Sequence, residues 1–375
     1  MDRERLDPGS VAQRVVTARG APRLGLLLLI VGGLFVVLYV TSWVLPVNQD
    51  RILVNAVRGA VGVSAAVYCL GAIGLNLHFG YTGLLNFGHV GFLLVGAYGL
   101  AITVSVFGGP FWLGILVGIL ASMVLALLMG IPTLRLRADY LAIVTIAAAE
   151  ILRFGFRARP FDPWTGSVFG LRGFATRFQE LNPIPEGTYG FWLFAYSDRR
   201  LWTLAVAWGL VIVISLLLAI LLHSPWGRVL KSIRDDEDAA RSLGKNVFAY
   251  KMQSLLLGGA IGGLAGIVLS LHFQTAHPDT FVPLVTFYMY TLLILGGPAT
   301  IAGPIVGSMA FWFLLLGLDS FLRQARDVGV IPPAVFGTEE IGAIRFAFVG
   351  LALLLLMIFR PQGILGNKRE MQLDA

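Results

Sequence analysis

Between Gly59 and Leu134 the chain runs for 76 residues without a single Lys, Arg, Asp or Glu. A soluble core does not absorb such a stretch, because globular domains carry about 25% charged residues. A membrane span requires roughly 20 consecutive apolar residues, so this one segment has room for three. The rest of the chain agrees. Of its 375 residues 57% are hydrophobic and 13% charged, and the mean hydropathy is +0.80. The expected fold is an all-α polytopic membrane protein.

Apolar runs place the spans. Leu24–Leu45 is uncharged over 22 residues, longer than the apolar region of a cleavable signal, and reads as the first span. A short loop with Asp50, Arg51 and Arg58 is expected next. Further spans are read at Gly59–Phe79, Phe111–Pro132, Tyr140–Phe156, Leu201–Leu222, Met252–Phe273, Leu284–Leu295, Ile301–Leu318 and Ile341–Phe359. With a broken or re-entrant element at Gly80–Gly99 the total is about ten. The longest polar loop covers about 159–200, and Asp319–Glu340 reads as polar too.

The net charge of +7 does not point to nucleic acid. The basic residues sit at the ends of apolar runs, where membrane orientation accounts for them. With the N-terminus cytoplasmic, 16 of the 28 Lys and Arg fall on the cytoplasmic side. Both termini are therefore expected inside. The single cysteine, Cys69, excludes an intramolecular disulfide.

Two Gly-rich stretches interrupt the apolar pattern. In Gly80–Gly99, glycines stand at 80, 83, 88, 91, 96 and 99, and each weakens a helix by about 1 kcal/mol relative to Ala. Irregular backbone inside a bilayer is buried in protein or lines a cavity, while small residues also let helices approach closely. Either close packing or a broken element beside a transport path satisfies the pattern. On the second reading Asn76, Tyr81, Thr82, Asn86 and His89 are the polar groups of the path. GGPATIAGP, with two Gly-Pro pairs, marks a turn or broken helix after Leu295. Glu150 lies about 16 Å into its span and needs a partner there. Arg153 at i+3 is on the same face, giving either a local ion pair or a polar group beside the path.

Leu222–Met252 is the densest run of charge within the apolar chain. Arg228, Lys231 and Arg234 precede Asp235, Asp236, Glu237 and Asp238, and Gly244 follows. Acids at a helix N-terminus and Arg241 further on suit the helix dipole, and Gly244 suits a C-terminal stop. The pattern predicts a short helix outside the membrane, either solvated or docked on a soluble partner. No G-x-x-x-x-G-K-[ST] phosphate loop is present, nor H-E-x-x-H, C-x-x-C or a nucleophile paired with a base. His78, His89, His223, His272 and His277 are scattered. The sequence supports no catalytic reaction and no metal site.

Asp238–Gly244, D-A-A-x-x-x-G, resembles the E-A-A-x-x-x-G coupling motif of ABC importer permeases, with Asp for the usual Glu. Four further blocks accompany it: GLNLHFGYTGLLNFGHVGFLLVGAY at 74–98, LRLRADYLAIVTIAAAEILR at 134–153, GGPATIAGPIVG at 296–307 and RPQGILG at 360–366. Together with 224–247 they resemble the branched-chain amino-acid permeases of the LivM type. The resemblance implies an ABC importer permease subunit of the bacterial inner membrane. Its partners would be a homologous LivH-like permease, two ATPase subunits that bind ATP and Mg, and an extracytoplasmic substrate-binding protein. No cofactor would be bound by this chain. Arg234, Glu237, Asp238, Ala239, Ala240 and Gly244 would couple to the ATPase. The organisation would be a cytoplasmic arm at 1–23, a transmembrane domain at 24–360 with a periplasmic loop at about 159–200 and a coupling loop at about 223–251, and a tail at 361–375. Loops 160–200, 274–283 and 319–340 would face the binding protein. Permeases for urea and short-chain amides share these blocks. An ion-coupled secondary transporter is the alternative of a different class, although Glu150 is its one good intramembrane acid.

Overall fold

The computed structural model describes residues 48–135, 138–190, 195–329, 338–359 and 362–366. The first span at Leu24–Leu45, the 1–23 arm, Arg137 and most of the tail lie outside the described residues. The principal helices are α1 (Gln49–Val61), α2 (Val63–Asn76), α3 (His89–Ala101), α4 (Phe111–Thr133), α5 (Ala138–Arg157) and α6 (Asp198–His223). They continue with α7 (Pro225–Asp235), α8 (Glu237–Ser242), α9 (Val247–Phe273), α10 (Pro283–Gly296), α11 (Gly303–Asp327) and α12 (Thr338–Phe359). Among the described residues, four two-residue strands form two antiparallel pairs: β1 (Leu171–Arg172) with β4 (Thr275–Ala276), and β2 (Thr188–Tyr189) with β3 (Tyr196–Ser197). The architecture is all-α.

Seven helical segments among the described residues are long and apolar enough to cross a membrane: Gln49–Tyr81, His89–Val106, Phe111–Thr133, Asp198–His223, Val247–Phe273, Pro278–Gly296 and Gly303–Asp327. Their enclosure differs. In α9 and in Gln49–Tyr81, 78% of the apolar window is buried, against 22% in Asp198–His223. The first two are therefore the centre of the bundle and α6 is on its outside. α9 packs on α2, α3 and α4, while α10 and α11 pack on each other and on the far side of α2.

Small residues make that centre possible. A Cβ placed on Gly96 of α3 would stand 2.5 Å from the Gly263 Cα of α9, and one on Gly263 would stand 2.7 Å from the Ser122 Cβ of α4, so three helices meet closely there. With lipid outside, such close packing replaces the hydrophobic drive that assembles soluble bundles.

Several local expectations change. Asp50, Arg51 and Arg58 are helical, on α1, not in a loop. The Asn48 side chain accepts from the Arg51 N–H, and α1 buries Ile52, Val54 and Ala56. Its polar face meets α11, where the Asn55 amide donates to Ser320 Oγ at 3.0 Å. α1 and α2 thus form one segment bent at Gly62, where Trp208 Nε1 donates to the Val61 carbonyl at 2.8 Å. The polar run from Asp319 is likewise helical as far as Asp327, because Asp319 accepts from Arg323 one turn on and from Arg345 of α12.

The Gly80–Gly99 element is broken. α2 ends in a π-helical turn at Leu77–Tyr81, residues 83–86 have no regular structure and Gly83 is left-handed at φ +74°, and α3 begins at His89. His89 Nε2 lies 3.0 Å from the Gly71 carbonyl. α3 therefore starts beside the middle of α2, about 10 residues or 15 Å above its end at a rise of 1.5 Å per residue. The segment 82–88 climbs back into the bundle to reach that level. The second break falls between Gly296 and Gly303, where α10 gives way to α11.

Candidate coupling site and substrate path

The charged loop folds as two helices rather than the one expected. Asp236 is extended (φ −156°, ψ 107°) and separates α7 from α8. Its carboxylate accepts from the Ala239 N–H at 2.9 Å, an N-cap that satisfies an otherwise orphaned helix donor. Pro225 at the start of α7 and Ser224 as its N-cap set the other boundary. Gly244 then has φ +76°, the left-handed conformation in which glycine alone is free of strain.

Ion pairs hold α8 in place. Glu237 binds Arg241 at 2.9 Å and Lys251 of α9, and Asp238 binds Arg241 at 2.8 Å. Ala240 is buried with Ile233 and Val247, so the small residue of the motif faces inward. Asp238, Ala239 and Gly244 face outward. Leu243 is 79% exposed, an apolar side chain at the tip of a charged loop. Arg234 points back into the protein, where Nη1 donates to the Gly80 carbonyl at 2.6 Å.

The five polar groups around the first break are all buried. Asn76 Nδ2 donates to the Thr300 carbonyl at 2.9 Å, and Oδ1 accepts from the Ala299 N–H at 2.9 Å. Thr82 Oγ1 donates to the Leu77 carbonyl at 2.8 Å and lies 2.7 Å from Ser254 Oγ. Asn86 accepts from the Gly88 N–H and contacts His78, whose ring stands edge-on to His89 at 5.4 Å. Asn76 and Tyr81 also line a narrow crevice between α2 and α6, with Ser215, Leu218, Leu222 and Ile301.

Glu150 lies apart from that cluster. Arg153 grips both its oxygens, at 2.9 and 2.7 Å, and donates to Asp279 Oδ1 at 2.8 Å. Arg157 adds a contact to Asp279 at 3.4 Å. The network ties α5 to the turn before α10. Beyond it, Arg172, Thr176, Glu180, Glu186, Asp198 and Arg199 border a cavity of about 550 Å³ carrying both signs of charge.

Sequence reasoning missed Ser254 and Asp279 as partners. A lone serine in an apolar helix and a loop aspartate carry no pattern that names what they face. His78 was visible, but its pairing with Asn86 and His89 depends on the climb of 82–88.

A family model for the branched-chain amino acid transport system / permease component matches residues 58–358. This chain belongs to that family. The match takes in both Gly-rich breaks and the charged loop, so the elements just described are the family's own region. The permease is similar to the high-affinity branched-chain amino acid transport system permease protein LivM of Salmonella typhimurium, at 28% identity over 83% of this chain and 71% of that protein. A probable branched-chain amino acid transport permease protein LivM of Methanocaldococcus jannaschii is 24% identical over 80% of this chain and 91% of its own. The permease protein LivH of Escherichia coli is 24% identical over 80% of this chain and 92% of its own. No solved structure matches the chain. The protein is a multi-pass membrane permease, with similarity to both the LivM and the LivH types.

Proposed function

We propose that this chain is the LivM-type half of an ABC importer that moves branched-chain or related amino acids across the bacterial inner membrane. A LivH-like permease completes the pathway. Two ATPase subunits supply the energy, with ATP and Mg bound on them and no cofactor on this chain. An extracytoplasmic binding protein delivers substrate to the face that carries 159–200 and 274–283. The termini are cytoplasmic and the spans number about ten, with α5, α12 and Leu24–Leu45 among them.

The observation that carries the reading is the geometry of the charged loop. α8 is capped by Asp236, pinned by Glu237 to α9, and turned by Gly244 so that Asp238, Ala239 and Leu243 face outward. A charged helix held in a fixed place outside the apolar bundle offers a pre-formed surface to a soluble partner. The relatives' names supply the substrate class, which belongs to those proteins and comes to this chain as a proposal.

ATP hydrolysis by the reconstituted assembly is the test, with binding proteins loaded with leucine, another amino acid, or urea. Stimulation by the leucine-loaded protein is expected. Stimulation by urea alone would keep the coupling argument and move the substrate to the amide class. Failure of any ATPase to associate would sink the ABC reading in favour of an ion-coupled transporter.

A further inference from the structure

We infer that Arg234 is a positioning residue that links the coupling loop to both Gly-rich breaks, by capping the C-terminal end of α2. The inference rests on the ABC reading above and concerns how motion of the loop reaches the spans.

The last carbonyls of a helix have no intrahelical donor, and those of the α2 π-turn take theirs from elsewhere. Leu77 O accepts from the hydroxyls of Thr82 and Ser254, and His78 O from the Leu84 N–H. Gly80 O accepts from the Arg234 guanidinium at 2.6 Å. Three of these donors lie on α9 or on the chain just after α2. Arg234 alone comes from the coupling loop. A cation at a helix C-terminus is favoured by the helix dipole, and its charge strengthens the hydrogen bond. The Arg234 side chain is 18% exposed, so water competes weakly for that carbonyl. Lys231, one turn earlier on α7, lies 5.7 Å from the centre of the Tyr81 ring. α7 therefore holds the end of α2 at two points.

The same stretch of α2 governs the second break. Asn76, four residues before Gly80, bonds both Ala299 and Thr300 in the connection between α10 and α11. That connection is held from its other side as well. Ile364 and Leu365 donate their N–H groups to the last carbonyls of α10, Leu295 and Gly296. The path is thus continuous: α7, Arg234, Gly80, one turn of helix, Asn76, then Ala299 and Thr300. π-turns are frequent at functional sites, and here one lies between the two contacts. A pull on Arg234 has that turn to deform. It therefore shifts 82–88 and 297–302 together.

The experiment uses the complete assembly in liposomes. Uptake per ATP hydrolysed is compared for wild type, Arg234→Gln and Arg234→Lys, together with ATPase-subunit binding. The glutamine variant should lower uptake per ATP by about 5-fold or more, the lower end of typical coupling effects, with the ATPase still bound. Lysine keeps a charged donor for the Gly80 carbonyl and should recover most of the loss. Hydrogen exchange on the unmodified assembly gives a second arm that needs no variant. Nucleotide binding should change protection at 80–84 and 297–302 together. Wild-type coupling in Arg234→Gln, or a nucleotide response confined to 225–245, would overturn the relay. A wild-type assembly that binds no ATPase would instead overturn the ABC reading beneath it.

Discussion

Replacing Asn76 by Leu isolates the tie between α2 and the second break. The two side chains share one branched outline of four heavy atoms and Leu is the bulkier, so the change opens no cavity. What disappears is a pair of hydrogen bonds, each 2.9 Å long, to Ala299 N and Thr300 O. Asn76 is 3% exposed, and water has no ready route to the groups left behind. A buried polar group without a partner costs about 1–3 kcal/mol. Ala299 is itself buried and takes the full cost, whereas half-buried Thr300 takes the lower end, which gives about 2–4 kcal/mol together. Ala299 also has φ +57°, a left-handed conformation that costs a non-glycine residue about 1–2 kcal/mol. With Asn76 gone, the connection can relieve that strain by moving, which lowers the net loss but destroys its geometry. The assay is denaturant unfolding of the purified permease in mixed micelles, paired with hydrogen exchange at 297–302. The expected result is a stability loss of about 2–4 kcal/mol with protection lost first at that connection. Stability within about 0.5 kcal/mol of wild type, the range of a neutral surface change, with unaltered protection, would refute the reasoning.

Gly96→Leu forces a side chain between two touching backbones and should cost about 3 kcal/mol, the upper end for an overpacked core; a normal yield of assembled protein with an unchanged melting midpoint would contradict the close approach of α3 and α9. Asp236→Ala removes the α8 cap and should cost about 1 kcal/mol, whereas Asp236→Asn, an equally good cap, should be neutral in the same melting experiment. Gly244→Val meets no neighbour within 4 Å, so its effect comes from backbone strain of about 1–2 kcal/mol and should appear as ATP hydrolysis uncoupled from uptake; normal coupling would count against the assignment. Arg153→Gln leaves both Glu150 and Asp279 without their shared cation and should destabilise more than Glu150→Gln, which leaves Arg153 its bond to Asp279. Neutralising Glu150 and Arg153 together tests a substrate role, since unchanged uptake would confine the pair to holding α5 in place.

The uncharged run from Gly59 and the order of apolar segments determine a membrane bundle without further help. Lipid leaves a long apolar chain few ways to satisfy its backbone. The D-A-A-x-x-x-G block and its companions likewise carry the family, because a motif is a matter of local order. Gly244 as a stop and Glu150 with Arg153 involve residues within a few positions of each other, so spacing alone brings that chemistry into view, whereas the break at Asp236 does not show in the pattern.

Helix limits were less legible where charge sits on a helix. Asp50, Arg51, Arg58 and Asp319 read as loop from their charge, and the partners of Arg58 and Asp319 at Ala195 and Arg345 are distant in sequence. The tie from Asn76 to Ala299 spans 223 residues and that from Arg234 to Gly80 spans 154. Neither residue type announces such a partner, since asparagine and arginine bond almost any carbonyl within reach. Only the packing of the α10–α11 connection against Asn76 and of α7 against the end of α2 sets those groups face to face. Local order fixes which segments are helical and which are broken; packing through close-approaching glycines decides which broken ends meet.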